Sequence, residues 1–113
     1  MEYGYLDFSG IRTDTAKHRH NLVRIDTLLT PGVDPIPAWD GGKAFDTLVD
    51  KIVEARQNGR PVIWSQGAHV IKNSLSRYLI DLMECGIITH IAGNGACSIH
   101  DFELAYLDRK SVV

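Results

Sequence analysis

"GAHVIKNSLSRYLIDLMECGIITHIAGNGACSIHDFELA", residues 67–105, decides the fold. It is apolar enough to be core, yet three histidines, one lysine and four glycines interrupt it. Ile71, Leu75, Tyr78, Leu79, Leu82 and Met83 form an apolar stripe that predicts one continuous helix from about His69 to Glu84. Gly86 closes it. "IITHIA" (87–92) predicts a strand and "GNGACS" (93–98) a turn. "IHDFELAYL" (99–107) predicts a further helix with Ser98 as N-cap. Asp101 follows three residues later, a capping-box-like pair with Asp in place of Glu or Gln.

Upstream, "PVIW" (61–64) predicts a short buried strand, with Pro61 tolerated at its start because no ladder donor is needed there. "SQGAH" (65–69) is the turn that follows. Phe45, Leu48, Val49, Ile52 and Val53 have helical spacing. Asp40 is the candidate N-cap of that helix, and "NG" at 58–59 ends it. The order is therefore helix, strand, turn, helix, strand, turn, helix. Two short strands joined by a helix imply a right-handed parallel crossover. The expected class is α/β with a parallel sheet.

Residues 1–40 are weakly patterned and read as an arm with a Pro-rich linker, "TPGVDPIPAW"; residues 41–113 read as a partial α/β domain. His18 and His20 in "KHRHN" would share a face on a strand and could hold a metal. Without further ligands at suitable spacing, a solvated loop is the simpler reading.

The chain has 113 residues, 44% hydrophobic and 23% charged, which is ordinary for one small globular domain. A formal net charge of −2 gives no electrostatic case for nucleic acid or membrane as partner. The N-terminus has no signal-peptide pattern, and no apolar run approaches the roughly 20 residues a membrane helix needs. A cytoplasmic location is expected. Cys85 and Cys97 then read as reduced thiols, and two cysteines twelve positions apart make no zinc site.

In open α/β sheets ligands bind beyond the carboxyl ends of the strands. "SQGAH" and "GNGACSIHD" both fall there, so they are the two candidate lips of one cleft. Gly67, Gly93 and Gly95 would let backbone approach a ligand closely. Each turn is expected to feed a helix N-terminus, where free N–H groups favour a phosphate. "GNGACS" is not GxGxxG, and no GxxxxGK[ST] occurs, so neither phosphate fingerprint applies.

Each candidate also has a plain structural reading. His69 could simply cap its helix, Lys72 could be a solvated helix residue, and Tyr78 and Met83 fit core positions. Asp101 could be no more than a helix N-terminal charge, while His100 in a first turn should be neutral. Cys97 and His100, three residues apart, make a poor nucleophile–base pair, because helix neighbours rarely have that geometry.

From Trp64 to Leu107 the chain resembles the deoxyhypusine synthase family, most closely its bacterial deoxyhypusine synthase-like branch. The strand, polar turn, helix, strand, small-residue turn and helix come in the same order. "AHVIK" (68–72) stands where the family has a Ser-Asn-Leu-Ile-Ser-like segment on NAD. "NGA" (94–96) stands at its Thr-Ala-Gly turn, also on NAD, and Asp101 matches the last residue of its Glu-Glu-Asp motif. The resemblance implies an incomplete Rossmann-like, NAD-binding fold. The cofactor would lie on Gly67, Ala68, His69, Val70, Ile71, Lys72, Asn94, Gly95 and Ala96, with a polyamine end at His100 and Asp101.

The implied activity is NAD-dependent oxidation of a polyamine such as spermidine, then transfer of an aminobutyl group through an imine to lysine or another amine. Homospermidine synthases are related. The resemblance also implies homo-oligomers. His100 departs from the family, replacing a glutamate that contacts NAD and polyamine; Asp101 and Glu103 are the acidic groups that could take over. The family's imine-forming lysine belongs to a C-terminal half that would follow Val113. The chain is therefore expected to be a partial reading frame, inactive alone. The competing expectation is a small non-catalytic α/β module for oligomerisation or ligand binding.

Overall fold

A computed structural model describes residues 4, 5, 7–15 and 23–107. The His18–His20 pair, the "KHRHN" cluster and the last six residues lie outside the described residues. A 3-10 turn at Ile25–Thr27 precedes four helices, α1 (Gly42–Gln57), α2 (His69–Lys72), α3 (Ser76–Glu84) and α4 (Gly95–Leu107). Two strands, β1 (Ile63–Gln66) and β2 (His90–Gly93), pair in parallel. Ile63 aligns with His90 and Gln66 with Gly93, so both strands end at one level. The class is α/β, with a small parallel sheet.

The first and last parts of the fold follow local chemistry. Asp40 Oδ1 accepts the Gly42 N–H at 2.8 Å, while Gly41 takes the N-cap position itself. Trp39 packs edge-to-face on Phe45 at 4.7 Å across this helix start. At the C-termini of α1 and α3, Gly59 and Gly86 adopt φ of 65° and 71°. In both, the next two N–H groups bond back into the last helical turn (Gly59 to Arg56 and Arg60 to Ala55; Gly86 to Met83 and Ile87 to Leu82).

The expected continuous helix over 69–84 is broken. α2 is a single turn and α3 starts at Ser76. The break is the same C-terminal motif, with Ser74 rather than glycine at φ 64°. Ser74 N–H bonds to Ile71 O at 3.0 Å and Leu75 N–H to Val70 O at 3.0 Å. Asn73 and Ser74 favour such local alternatives to the helix, and the apolar stripe is blind to them because it continues on α3. Ser74→Gly should raise stability by about 0.5–1 kcal/mol, since a non-glycine residue in this region costs roughly 1–2 kcal/mol and glycine gives part of that back as chain entropy. A higher urea midpoint with an unchanged slope is the expected reading.

Three other boundaries shift. β2 begins at His90, three residues later than "IITHIA" suggests, and runs through Gly93, so Gly93 is strand rather than turn. β1 begins two residues later than "PVIW" suggests and runs through Gln66, so Ser65 and Gln66 are strand rather than turn. α4 begins at Gly95, placing Ser98 and Asp101 inside the helix; there is no capping box there. Asn94 does the capping instead, its Oδ1 accepting the Cys97 N–H at 3.3 Å.

The strands are not buried as expected. Ile63, Trp64 and Ile91 all stand exposed on the sheet. A parallel sheet is normally covered on both faces, and here no helix covers either face fully. The buried apolar residues among those described are Ala68, Ile71, Ile88 and Cys97. Met83 is exposed, and Tyr78 only half-buried, so neither is the core residue its spacing suggests. Phe45, Leu48, Val49 and Val53 of α1, and Ile99, Phe102 and Tyr106 of α4, are also exposed. Among the described residues no helix is long and apolar enough to cross a membrane.

Candidate functional site

The two expected lips do meet. The parallel register ends both strands together, so the segments after Gln66 and Gly93 emerge side by side. A Cβ built on Gly67 would lie 4.0 Å from Asn94 Nδ2. Cys97 joins them, its buried thiol donating to Gln66 O at 3.4 Å and lying 3.5 Å from Asn94 Oδ1. Gly93 makes this possible, since a Cβ there would sit 3.3 Å from both Cβ and Sγ of Cys97. Sequence reasoning treated Cys97 as a weak nucleophile candidate; the structure makes it the tie between the lips. Gln66 was missed, because it acts through its backbone carbonyl, which no side-chain pattern reveals.

On the first lip, Gly67 and His69 are exposed, Val70 is half-buried, and Ala68 and Ile71 are buried. Ile71 is therefore a core residue. Lys72 is exposed at the end of α2. Ala68 holds the N-cap position of α2 with no side-chain cap, so His69 caps nothing. With four residues, α2 carries no useful macrodipole, and the expectation of a phosphate-binding helix N-terminus on this lip does not hold.

The second lip is different. α4 runs thirteen residues and starts directly at the strand end. Gly95 and Ala96 are exposed, and their N–H groups precede the first intrahelical bond of α4. A Cβ on Gly95 would meet nothing within 4 Å, so the space above it is open. Asn94 spends its Oδ1 on capping and leaves its Nδ2 on the Gly67 side. Backbone donors at a helix start beside an amide donor and open space suit a phosphate or pyrophosphate.

Further along α4, His100 Nδ1 lies 3.2 Å from Glu103 Oε2, both half-buried. Asp101 is exposed. Cys97 and His100 thus have separate partners, and no nucleophile–base bond links them. Glu103 brings a carboxylate beside His100 on the same helical turn, which gives that end of α4 a negative group suited to an ammonium. Among the described residues no three His, Cys, Asp or Glu side chains gather as metal ligands. The chain matches no protein-family model, and neither a curated protein nor a solved structure matches it.

Proposed function

We propose that the two lips hold the phosphate-bearing part of NAD, as the cofactor-binding portion of a deoxyhypusine synthase-like aminobutyl transferase. The observation that carries this reading is the side-by-side placement of Gly67 and Asn94 at the ends of two parallel strands, tied by Cys97. Gly95 and Ala96 N–H groups and Asn94 Nδ2 would receive the pyrophosphate. Gly67 and His69 would form the opposite wall. Asp101 and Glu103, with His100, would face a polyamine ammonium. Bound NAD would accept hydride from the polyamine; the residues of this chain bind and orient.

Calorimetric titration with NAD tests the reading. Saturable binding is expected for the full chain, weakened about tenfold or more by Asn94→Ala and by His69→Ala, the scale of one lost hydrogen bond to a charged group. Asn94→Ala also removes a helix cap worth about 1 kcal/mol, so Asn94→Ser is the deciding variant: it keeps a capping oxygen and loses only the amide donor. It should bind weakly while melting near the parent. No heat from a chain shown folded by circular dichroism would sink the proposal.

One observation favours a second reading, a non-catalytic oligomerisation module. The apolar faces of α1 and α4 and both faces of the sheet are exposed together, more than a lone domain usually leaves bare. That reading expects no nucleotide affinity and a concentration-dependent mass in sedimentation.

A further inference from the structure

We infer that residues 25–30 form a strap that Arg77 locks across the break between α2 and α3, and that this strap sets the position of the first lip. The half-buried Arg77 guanidinium donates from Nη1 to Leu28 O at 2.9 Å and Thr30 Oγ1 at 2.7 Å, and from Nη2 to Ile25 O at 3.1 Å. These partners lie 47–52 residues away in sequence. A planar fork of fixed donors suits three converging oxygens, and an ammonium would not reach them all.

The strap is pre-shaped to present those oxygens. Thr27 Oγ1 donates to Arg24 O at 2.9 Å and accepts the Arg24 N–H at 3.1 Å, which holds the 3-10 turn. Asp34 Oδ2 accepts the Thr30 N–H, and Thr30 O accepts from Val33 and Asp34. Two local turns therefore flank the segment that Arg77 grips.

The strap reaches the lip through one bond. Leu29 N–H donates to Ser74 O at 2.9 Å. Ser74 is the left-handed residue that ends α2, and α2 is the single turn running from Ala68 to that break. One helical turn does not hold its own shape in water. The segment leading into it is held at one end by the Cys97 thiol on Gln66 O, and its other end is held by the strap. Loosening the second end should loosen α2, although Arg77 is on a different element from the lip.

Hydrogen exchange of the full chain, read by mass spectrometry without nucleotide, tests this. Arg77→Met should speed exchange about tenfold or more in residues 25–30, and also in 68–74, with α1 (42–57) unchanged. Arg77→Lys should fall between. If α1 accelerates equally, the variant has unfolded globally, and Thr30→Val decides: it removes one of the three acceptors and should give the same paired pattern at smaller amplitude. Faster exchange in 25–30 with 68–74 unmoved would overturn the coupling. No change in 25–30 would overturn the strap. Both outcomes are read independently of NAD binding.

Discussion

Gly93→Val should part the two lips and destabilise the chain by about 2–3 kcal/mol, the upper part of the usual overpacking range. The contact is already tight without a side chain. A single Cβ at this position would stand 3.3 Å from two atoms of Cys97, inside the roughly 3.5–4.0 Å at which carbon contacts are optimal. Cys97 has little room to yield, because it sits buried in the first turn of α4 with its thiol on Gln66 O. The two added methyls must therefore push the start of α4 away from the end of β2 and lift the Cys97 thiol off Gln66 O of β1. Gly93→Ala should cost less, since a shift of a few tenths of an ångström relieves it. Urea unfolding followed by circular dichroism gives the stability change. Thiol titration gives the geometry: the exposed Cys85 should react quickly in the parent and Cys97 slowly, whereas in Gly93→Val both should react quickly. A slow Cys97 in the valine variant would show that the lips stay together.

Ile71→Ala should cost about 2–4 kcal/mol and leave little folded chain at 25 °C. Large-to-small changes in a core carry this cost through lost burial and the cavity left behind. The consequence is severe here because the buried set is so small, only Ala68, Ile71, Ile88 and Cys97 among the described residues. A typical domain has 5–15 kcal/mol in hand; a two-stranded sheet with bare faces should have less. Far-UV circular dichroism at 25 °C and a urea curve for Ile71→Ala beside His69→Ala are the check. His69 is exposed on the same helical turn, so its loss should leave the fold intact. Equal effects from the two would mean that Ile71 is not the core residue its burial indicates.

The parts of this fold readable in sequence share one property: their physics is local. Gly59 and Gly86 mark helix ends because left-handed backbone costs glycine nothing. Phe45, Leu48, Val49, Ile52 and Val53 mark α1 because their spacing is a helix period. The Ser74 break escaped because serine adopts that backbone only when neighbouring bonds support it. Asn94 was singled out as a ligand residue, and its capping role was missed, because the cap was placed four residues late at Ser98. The strands were recognised, but not their exposure, since an apolar residue in sequence says nothing of what will cover it.

By itself, the sequence determined the helices and strands and their order, apart from the break at Ser74, the parallel crossover class, and the two segments that emerge together at the strand ends. All of these follow from spacing and from the fact that short strands joined by a helix run parallel. Only the tertiary structure decided that Cys97 ties one turn to the other, that α2 is one turn rather than half of a long helix, and that Arg77 holds a segment some fifty residues upstream. Those are contacts between backbone carbonyls and distant side chains. A carbonyl is the same group at every residue, so no letter in the sequence marks which one will be met, and chain packing alone selects it.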